Sequence, residues 1–187
     1  MMTILGFAGR DEWAEWMAAQ HTATKGVWLR IAKKGSSGRS VSYAEALEVA
    51  LSYGWIDGQR RGESDRTFLQ WFGPRAKKSL WSKVNREKAL AMIEAGEMRP
   101  AGLKEVERAR ADGRWEQAYD PQRTATVPDD LEAALSRSAK AKSFFAKLDS
   151  KNRYAVLHRI QIAKKAETRQ RRIAQFVEML ARGEKIH

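Results

Sequence analysis

The sequence predicts an α+β fold, in which a small antiparallel three-stranded sheet with flanking helices is followed by a helical C-terminal part. Three stretches show the alternation of a β-strand, and all three lie before residue 75. The sequence after residue 128 instead follows the helical period. All seven tryptophans lie at or before Trp115. A polar, turn-rich segment from Asp120 to Pro128 separates the two compositions. We therefore expect an α+β part over residues 1–122 and a helical part over residues 123–187, packed either separately or as one compact unit.

The first predicted elements are a short helix and a strand. Asp11 to Gln20 carries two tryptophans and a methionine on one side, and its acidic residues lie at the start, where the helix dipole is positive. The stretch "GVWLRIAKKG" then alternates. This pattern predicts a strand whose buried face comprises Val27, Leu29 and Ile31.

The sequence from residue 42 to residue 74 predicts a capped helix and a hairpin. In "SYAE", Ser42 and Glu45 are placed to form a capping box, and Gly54 is placed to end the helix in a left-handed conformation. "DGQRRGESDRT" predicts a strand and a turn over residues 62–65. "TFLQWF" supplies the β-branched and aromatic residues of a second strand, which Pro74 ends.

Two further helices follow the hairpin. "SLWSKVNREKALAMIEAG" has the helical period, with Trp81, Val84 and Met92 among its packing residues and Gly96 at its end. A shorter helix is predicted from Leu103 to Asp112.

The charge of the chain is strongly basic, at +12. Such a charge fits an anionic partner, such as nucleic acid or an acidic protein, or else a solvated surface. Residues 137–172 hold twelve lysines and arginines and two acids, over helices expected to break near Asp149 and Lys165. Cations are unfavourable at a helix start, so the arginines there either bind an anion or pair with acids; of the two, we expect pairing with acids of the N-terminal part. The anion-binding candidates are Lys164, Lys165, Arg169 and Arg172.

Several classes of chemistry are excluded or disfavoured by composition. The chain has no cysteine, so it has no disulfide, thiolate metal site or cysteine nucleophile. Its three histidines lie far apart in the sequence, and we predict neither a metal site nor a cofactor. The N-terminal sequence lacks the pattern of a signal peptide, and no segment approaches the ~20 apolar residues of a membrane helix. We therefore expect a cytoplasmic protein without membrane insertion.

Four blocks of the sequence resemble the YdeI or OmpD-associated (OmdA-like) bacterial family, also labelled bacteriocin-protection proteins. The blocks are "SVSYAEALEVALSYGWIDGQRR", "LQWFGPRAKKSLWSKVNREKA", "GEMRPAGLKEVERARADGRW" and "KNRYAVLHRIQIAKKAETRQRRIAQFVEML". The resemblance extends from about Lys25 to Lys185 and implies protection against peptide toxins or outer-membrane-linked stress, with no known reaction. The family's characteristic positions would fall on Gly54, Trp55, Asp57, Gly58, Pro74, Arg75, Ser79, Trp81, Ser82, Asn85, Ala163, Lys164, Thr168, Arg169 and Ile173.

The candidate site centres on "LSYGWIDGQRRGESDRTFLQWFGPR" and the helix start after it. We predict that Trp55 and Trp81 are core residues with hydrogen-bonded indoles, and that Asp57 and Arg75, which flank one hairpin, share a polar cluster. No histidine stands near, and no catalytic triad, phosphate loop or metal motif is present, so no catalytic residue is predicted. The candidates for a ligand site or polar cluster are Trp55, Asp57, Arg61, Arg75, Ser79, Trp81, Ser82 and Asn85.

These observations favour a non-enzymatic stress or toxin-protection factor that binds an anionic or protein partner. Two alternatives stay open. Arginines and lysines interleaved with aromatic residues are also typical of a weakly specific nucleic-acid-binding protein. The third interpretation is an enzyme that acts on a small anionic substrate.

Overall fold

The computed structural model describes residues 3–36 and 38–187 and divides the chain into two compact units. The first, which we call the sheet unit, runs to Trp81 and resumes over Asn85–Glu116. The second, which we call the helical unit, comprises Ser82–Val84 and Gln117–His187.

The described residues form four strands and eight helices. Up to the end of the hairpin the order is β1 (Ile4–Gly6), α1 (Arg10–Gln20), β2 (Val27–Ala32), α2 (Tyr43–Ser52), β3 (Trp55–Gly62) and β4 (Thr67–Pro74). The remaining helices are α3 (Lys83–Glu94), α4 (Pro100–Ala111), α5 (Asp129–Ser136), α6 (Ala139–Ala146), α7 (Ser150–Gln161) and α8 (Ala166–Ala181).

The strands form one mixed sheet in the order β1-β2-β4-β3. The α+β class is confirmed, and the antiparallel pairing of β2 with β4 and of β4 with β3 is as expected. The prediction of three antiparallel strands is wrong in one respect, because β1 adds a fourth strand parallel to β2. This strand has three residues, which is too short to show alternation, and Ile4 pairs with the distant Trp28.

Helix α2 begins and ends as the sequence predicts. The Ser42 hydroxyl accepts a hydrogen bond from the backbone N–H of Glu45 at 3.3 Å, and the Glu45 carboxylate accepts one from the backbone N–H of Ser42 at 2.8 Å. The capping box satisfies two N–H groups that the helix itself cannot pair. Gly54 follows the helix with φ +74°. A Cβ there would lie 2.9 Å from the carbonyl oxygen of Ala101, so both conformation and space require glycine.

One face of the sheet packs on the helices of the sheet unit and forms its core. The aromatic ring of Trp13 on α1 contacts Phe72 on β4, with 5.9 Å between ring centroids. We call this the inner face; its buried strand residues are Val27, Leu29, Ile31, Phe68, Gln70 and Phe72. The expected burial of Val27, Leu29 and Ile31 is confirmed. Trp28 is also buried, although it lies on the opposite face.

The packing face predicted for the helix after the hairpin is partly wrong. Met92 is buried, but the side chain of Val84 is 40% exposed, and the helix buries Ala89 instead. The helix begins only at Lys83. Trp81 therefore precedes it, and a helical line of packing residues counted from Trp81 starts at the wrong place.

The helical unit packs its four helices α5–α8 around a core of its own. The large members of this core are Leu131, Leu135, Phe145, Leu157, Ile160, Ile173 and Leu180. The expected breaks near Asp149 and Lys165 are present, but residues 137–138 introduce a further break between α5 and α6. There the hydroxyl of Ser138 accepts a hydrogen bond from the backbone N–H of Ala141 at 3.3 Å and caps α6. Among the described residues, no helix is both long enough and apolar enough to span a membrane.

Candidate functional site

Trp55 and Asp57, at the start of β3, are held by neighbours in the sheet unit. Trp55 is 1% exposed, and its indole N–H donates to the carbonyl of His21 at 3.2 Å. Asp57 accepts a hydrogen bond from the hydroxyl of Tyr43 at 2.8 Å. The predicted core position of Trp55 is therefore confirmed, and Asp57 fixes α2 against the hairpin.

Arg75 lies at the end of β4, where its side chain packs on Trp81. Its guanidinium is buried 3.6 Å above the ring of Trp81 and donates to the hydroxyl of Ser79 and the carbonyl of Leu80, at 3.4 and 3.3 Å. The ring of Trp81 meets that of Trp115 edge-on at 4.9 Å. The structure thus brings Arg75, Ser79 and Trp81 together, whereas Asp57 contacts α2.

Trp81 departs from one expectation. It is 2% exposed, as predicted for a core residue. Its buried indole N–H, however, has no acceptor among the residues that the structure describes. Stacking of Arg75 on the ring and the edge contact with Trp115 offset the cost of this unpaired donor.

Ser82 and Asn85 fall in different units. Ser82 belongs to the helical unit, where it forms an isolated parallel bridge with Tyr119. Asn85 is half-buried on α3 in the sheet unit.

The arginines at the start of α8 serve the helical unit. Arg169 donates to both carboxylate oxygens of Asp130, at 2.6 and 2.9 Å, and to the carbonyl of Ile160 at 3.1 Å. The hydrogen bond from Arg169 lowers the pKa of the Asp130 carboxyl. Arg172 donates to the carbonyl of Arg159. The expected pairing with acids of the N-terminal part is therefore wrong, because Asp130 on α5 lies nearer and fills that role. Lys164 and Lys165 are exposed.

The sheet carries a second face that sequence reasoning did not single out. The strand register places Ile4, Trp28 and Trp71 in one row across β1, β2 and β4. The next row holds Arg30, Leu69 and Arg61 across β2, β4 and β3. We call this surface the outer face and define it by Ile4, Trp28, Arg30, Arg61, Leu69 and Trp71.

Trp71 is seated on three glycines, which we call the glycine floor: Gly26, Gly58 and Gly73. A Cβ on Gly26 would lie 2.3 Å from Cζ2 of the indole, one on Gly58 2.8 Å from Cδ1, and one on Gly73 3.1 Å from Nε1. These ring atoms lie along one edge of the indole, so that edge rests on the backbone of β3, of β4 and of the residue before β2. The side chain of Trp71 is half-buried, and any side chain on the floor would push the ring away.

Trp28 and Arg61 complete the aromatic part of the outer face. The ring of Trp28 meets that of Trp71 at 5.6 Å and an angle of 63°. The guanidinium of Arg61 lies 4.4 Å from the centroid of Trp28, and this contact helps to bury Trp28. Arg61 itself is exposed. The accessible part of this cluster is therefore the half-buried Trp71 and the exposed Arg61, while Trp28 lies buried between them.

Positive charge extends along the outer face towards the hairpin turn. Arg30 forms a bidentate pair with Glu63, and this pair lowers the pKa of the Glu63 carboxyl. A hollow of about 270 Å³ beside it is lined by Arg30, Arg39 and Arg66. Arg39 and Arg66 are exposed, and in the described part of the chain neither has a carboxylate within ion-pair distance. The outer face and the hollow beside it together therefore have a surplus of cations.

Another cavity lies in the helical unit. It is a groove of about 870 Å³ between α5 and α8, lined among others by Ala134, Ile173, Val177, Arg137 and Glu178. Both signs of charge border it, so charge does not select a partner there. Among the described residues no group of three or more His, Asp or Glu side chains lies together as a metal ion would need.

The outer face was missed because it depends on strand register. Arg61 was a candidate from its position in an arginine-rich strand, but Gly26, Gly58, Gly73 and Trp71 come together only once β2, β3 and β4 are aligned. The usable signal was glycine within two strand patterns that each contain large aromatic residues, since a strand glycine often marks a close approach of another group.

Comparison with known families gives two matches. Residues 5–105, slightly more than half of the chain, match a domain of unknown function, DUF8412. Residues 124–183 match the OmdA family, described as bacteriocin-protection, YdeI or OmpD-associated. The resemblance to the OmdA family is thus confirmed for the helical part, while the earlier residues match DUF8412. No curated protein and no solved structure matches the chain.

Proposed function

The chain belongs to the DUF8412 family, and on that premise we propose that it is a non-enzymatic protein that binds a polyanionic partner on the outer face of its sheet. The observation that carries this proposal is the exposed guanidinium groups of Arg61, Arg39 and Arg66 along one side of the sheet, beside a seated indole. A polyanion gains from several such cations at once, because each neutralised phosphate releases a counterion.

The alternative sites support this choice. Arg75 and Arg169 hold their own units together through contacts with Trp81 and with Asp130. A ligand would have to break those contacts before it could bind either arginine. Arg61, Arg39 and Arg66 are exposed, so a ligand can reach them without disturbing the fold.

The OmdA match over residues 124–183 is described as bacteriocin-protection. We propose a cytoplasmic protein that protects by binding rather than by catalysis. Bacteria expressing the chain should survive a bacteriocin better than cells expressing an Arg61→Glu, Arg66→Glu variant. If cells expressing the two proteins at equal levels survive equally, protection does not depend on the outer face.

Binding to inorganic polyphosphate tests the proposal directly. We expect the Arg61→Glu, Arg66→Glu variant to bind labelled polyphosphate more weakly. The slope of log affinity against log salt should become shallower by about one for each arginine that no longer neutralises a phosphate. The matched control is Lys164→Glu, Lys165→Glu, which changes the net charge equally on exposed residues of the helical unit. Equal weakening in the control would show that binding follows net charge or the helical unit, and would contradict the proposal.

A further inference from the structure

The seat of Trp71 is more specific than a polyanion requires. Gly58 and Gly73 lie inside strands, where glycine weakens pairing, and Gly26 has φ +131°, a conformation that favours glycine. Three such positions hold one indole by the edge that carries Nε1. The outer face therefore holds a half-buried ring in a fixed position.

The exposed guanidinium of Arg61 adds a second flat group near Trp71. It covers the buried ring of Trp28 at 4.4 Å, and Trp28 in turn meets Trp71 at 5.6 Å. Indole rings and guanidinium planes are the groups on which unpaired nucleobases stack. Inorganic polyanions and acidic peptides have no such rings to offer in return.

The cations are arranged to follow an extended chain. The row of Trp28 and the row of Arg30 are two residues apart along β2, which is about 6.7 Å. Beyond them the hollow bordered by Arg39 and Arg66 continues in the same direction. A phosphate backbone laid along the strands would pass from the indoles to these guanidinium groups, while its bases face the sheet.

We infer that the outer face binds single-stranded nucleic acid, with unpaired bases stacked against Trp71 and the phosphates held by Arg61, Arg39 and Arg66; this inference rests on the proposed function. A duplex keeps its bases stacked on one another, so the rings of this face offer it nothing beyond charge.

The test uses oligonucleotides of about fifteen units, within the range of strand lengths that single binding domains cover. Fluorescence anisotropy compares labelled oligothymidylate with an abasic strand of equal length, which keeps the phosphates and lacks the bases. We expect the abasic strand to bind the unaltered protein about 5- to 150-fold more weakly, which corresponds to stacking of one base. Oligouridylate replaces oligothymidylate in a parallel arm; a preference for either identifies RNA or DNA as the ligand and supports the inference.

Variants then assign the stacking to Trp71. Trp71→Ala should lower oligothymidylate affinity by a similar factor and leave polyphosphate affinity within about twofold, whereas Trp71→Phe should keep part of it. Gly58→Ala should also lower it, because the new Cβ meets Cδ1 of Trp71 at 2.8 Å. Gly62→Ala on the same strand is the control, since nothing lies within 4 Å of a Cβ there.

The outcomes separate the two proposals. Equal affinity for the abasic strand, or for a duplex of the same length, would overturn the inference while polyphosphate binding leaves the proposed function standing. So would a decrease of polyphosphate affinity in Trp71→Ala as large as the decrease for oligothymidylate. If the unaltered protein binds neither ligand at low salt, the proposed function itself fails. The abasic comparison needs no variant, so it does not depend on any variant folding.

Discussion

Trp55 and Trp81 show at the scale of single residues how differently two buried indoles are held. Trp55 donates its N–H to the carbonyl of His21, and its ring meets that of Trp16 edge-on at 6.1 Å. Trp81 lies between the guanidinium of Arg75 and the ring of Trp115. Both indoles connect segments distant in the sequence, so each stabilises the sheet unit mainly by the apolar surface that it buries.

Replacing either tryptophan should destabilise the sheet unit strongly. We expect Trp55→Ala and Trp81→Ala each to lower the free energy of unfolding by about 3–5 kcal/mol, because each leaves a large cavity. Urea titration followed by tryptophan fluorescence measures the change. Leu90→Ala is the control; Leu90 is 41% exposed on α3, and its replacement should cost less than about 0.5 kcal/mol. Midpoints unchanged from those of the unaltered protein would contradict the core assignment.

At the scale of elements, helix ends and short polar links decide where each helix begins. Ser42 and Glu45 close the capping box of α2, and Asp149 accepts from the backbone N–H of Asn152 at 2.7 Å to cap α7. Arg169 and Asp130 join α8 to α5. These contacts lie on or near the surface, so they contribute modestly to stability and mainly fix the position of each element.

Removal of the α2 cap should be measurable. Ser42→Ala removes the acceptor for the backbone N–H of Glu45 and should cost about 1 kcal/mol, within a range of about 0.5–2 kcal/mol. Ser42→Asp keeps an acceptor and should restore most of the stability. Thermal or urea unfolding of the unaltered protein and the two variants measures these differences in stability. Equal stability of Ser42→Ala and the unaltered protein would contradict a contribution from the cap.

The Asp130–Arg169 pair should give the helical unit an acid-sensitive component. The pKa of Asp130 is lowered in the folded state, chiefly by the hydrogen bond from Arg169. Its contribution is therefore full above the unfolded value of about 3.9 and is lost as pH falls through the lower folded value. Since both side chains are partly exposed, the contribution should be at most about 1 kcal/mol.

Asp130→Asn tests that component. The variant should be less stable than the unaltered protein at neutral pH, and the difference should shrink below about pH 4. The helical circular-dichroism signal during thermal unfolding measures it. Glu132→Gln is the control, because the Glu132–Lys142 pair is more exposed and should matter less. A stability difference that stays constant between neutral and strongly acidic pH would rule out the pair as its cause.

At the scale of the whole molecule, two hydrophobic cores share one chain. The core of the helical unit, from Leu131 to Leu180, has no tryptophan, and all seven tryptophans lie in the sheet unit. Tryptophan fluorescence therefore reports the sheet unit alone. We propose that the α+β part, residues 1–122, and the helical part, residues 123–187, unfold separately, because each has a core of its own.

Ile160→Ala tests separate unfolding. It should lower the stability of the helical unit by about 2–5 kcal/mol and shift the circular-dichroism transition. The fluorescence midpoint should stay where it is. Leu29→Ala, in the core of the sheet unit, should shift the fluorescence midpoint and only the part of the circular-dichroism signal that the helices of that unit contribute. If both probes shift together in both variants, the chain unfolds as one block and the proposal is wrong.

The sequence predicted those features that depend on residues close together in the chain. The capping box at Ser42, the left-handed Gly54 and the inner face of β2 follow from neighbours in sequence, and all three are confirmed. The short strand β1 and the exposed position of Val84 were missed, because one depends on a distant partner and the other on where α3 begins. Of the outer face, the sequence singles out only Arg61. The floor beneath Trp71 needs three aligned strand positions, which periodicity within one strand cannot supply.

The glycine floor also means that four positions, Gly26, Gly58, Gly73 and Trp71, should vary together in evolution. While Trp71 is present, a side chain at Gly58 collides with the indole at 2.8 Å, so the two residues cannot drift independently. A smaller residue at position 71 would remove the collision and make alanine at position 58 harmless, or even favourable to the strand. In a protein of this family that has given up the indole, glycine at this position would no longer be under selection. Replacement of that glycine in a relative would then indicate, from the sequence alone, that its outer face no longer binds a ligand.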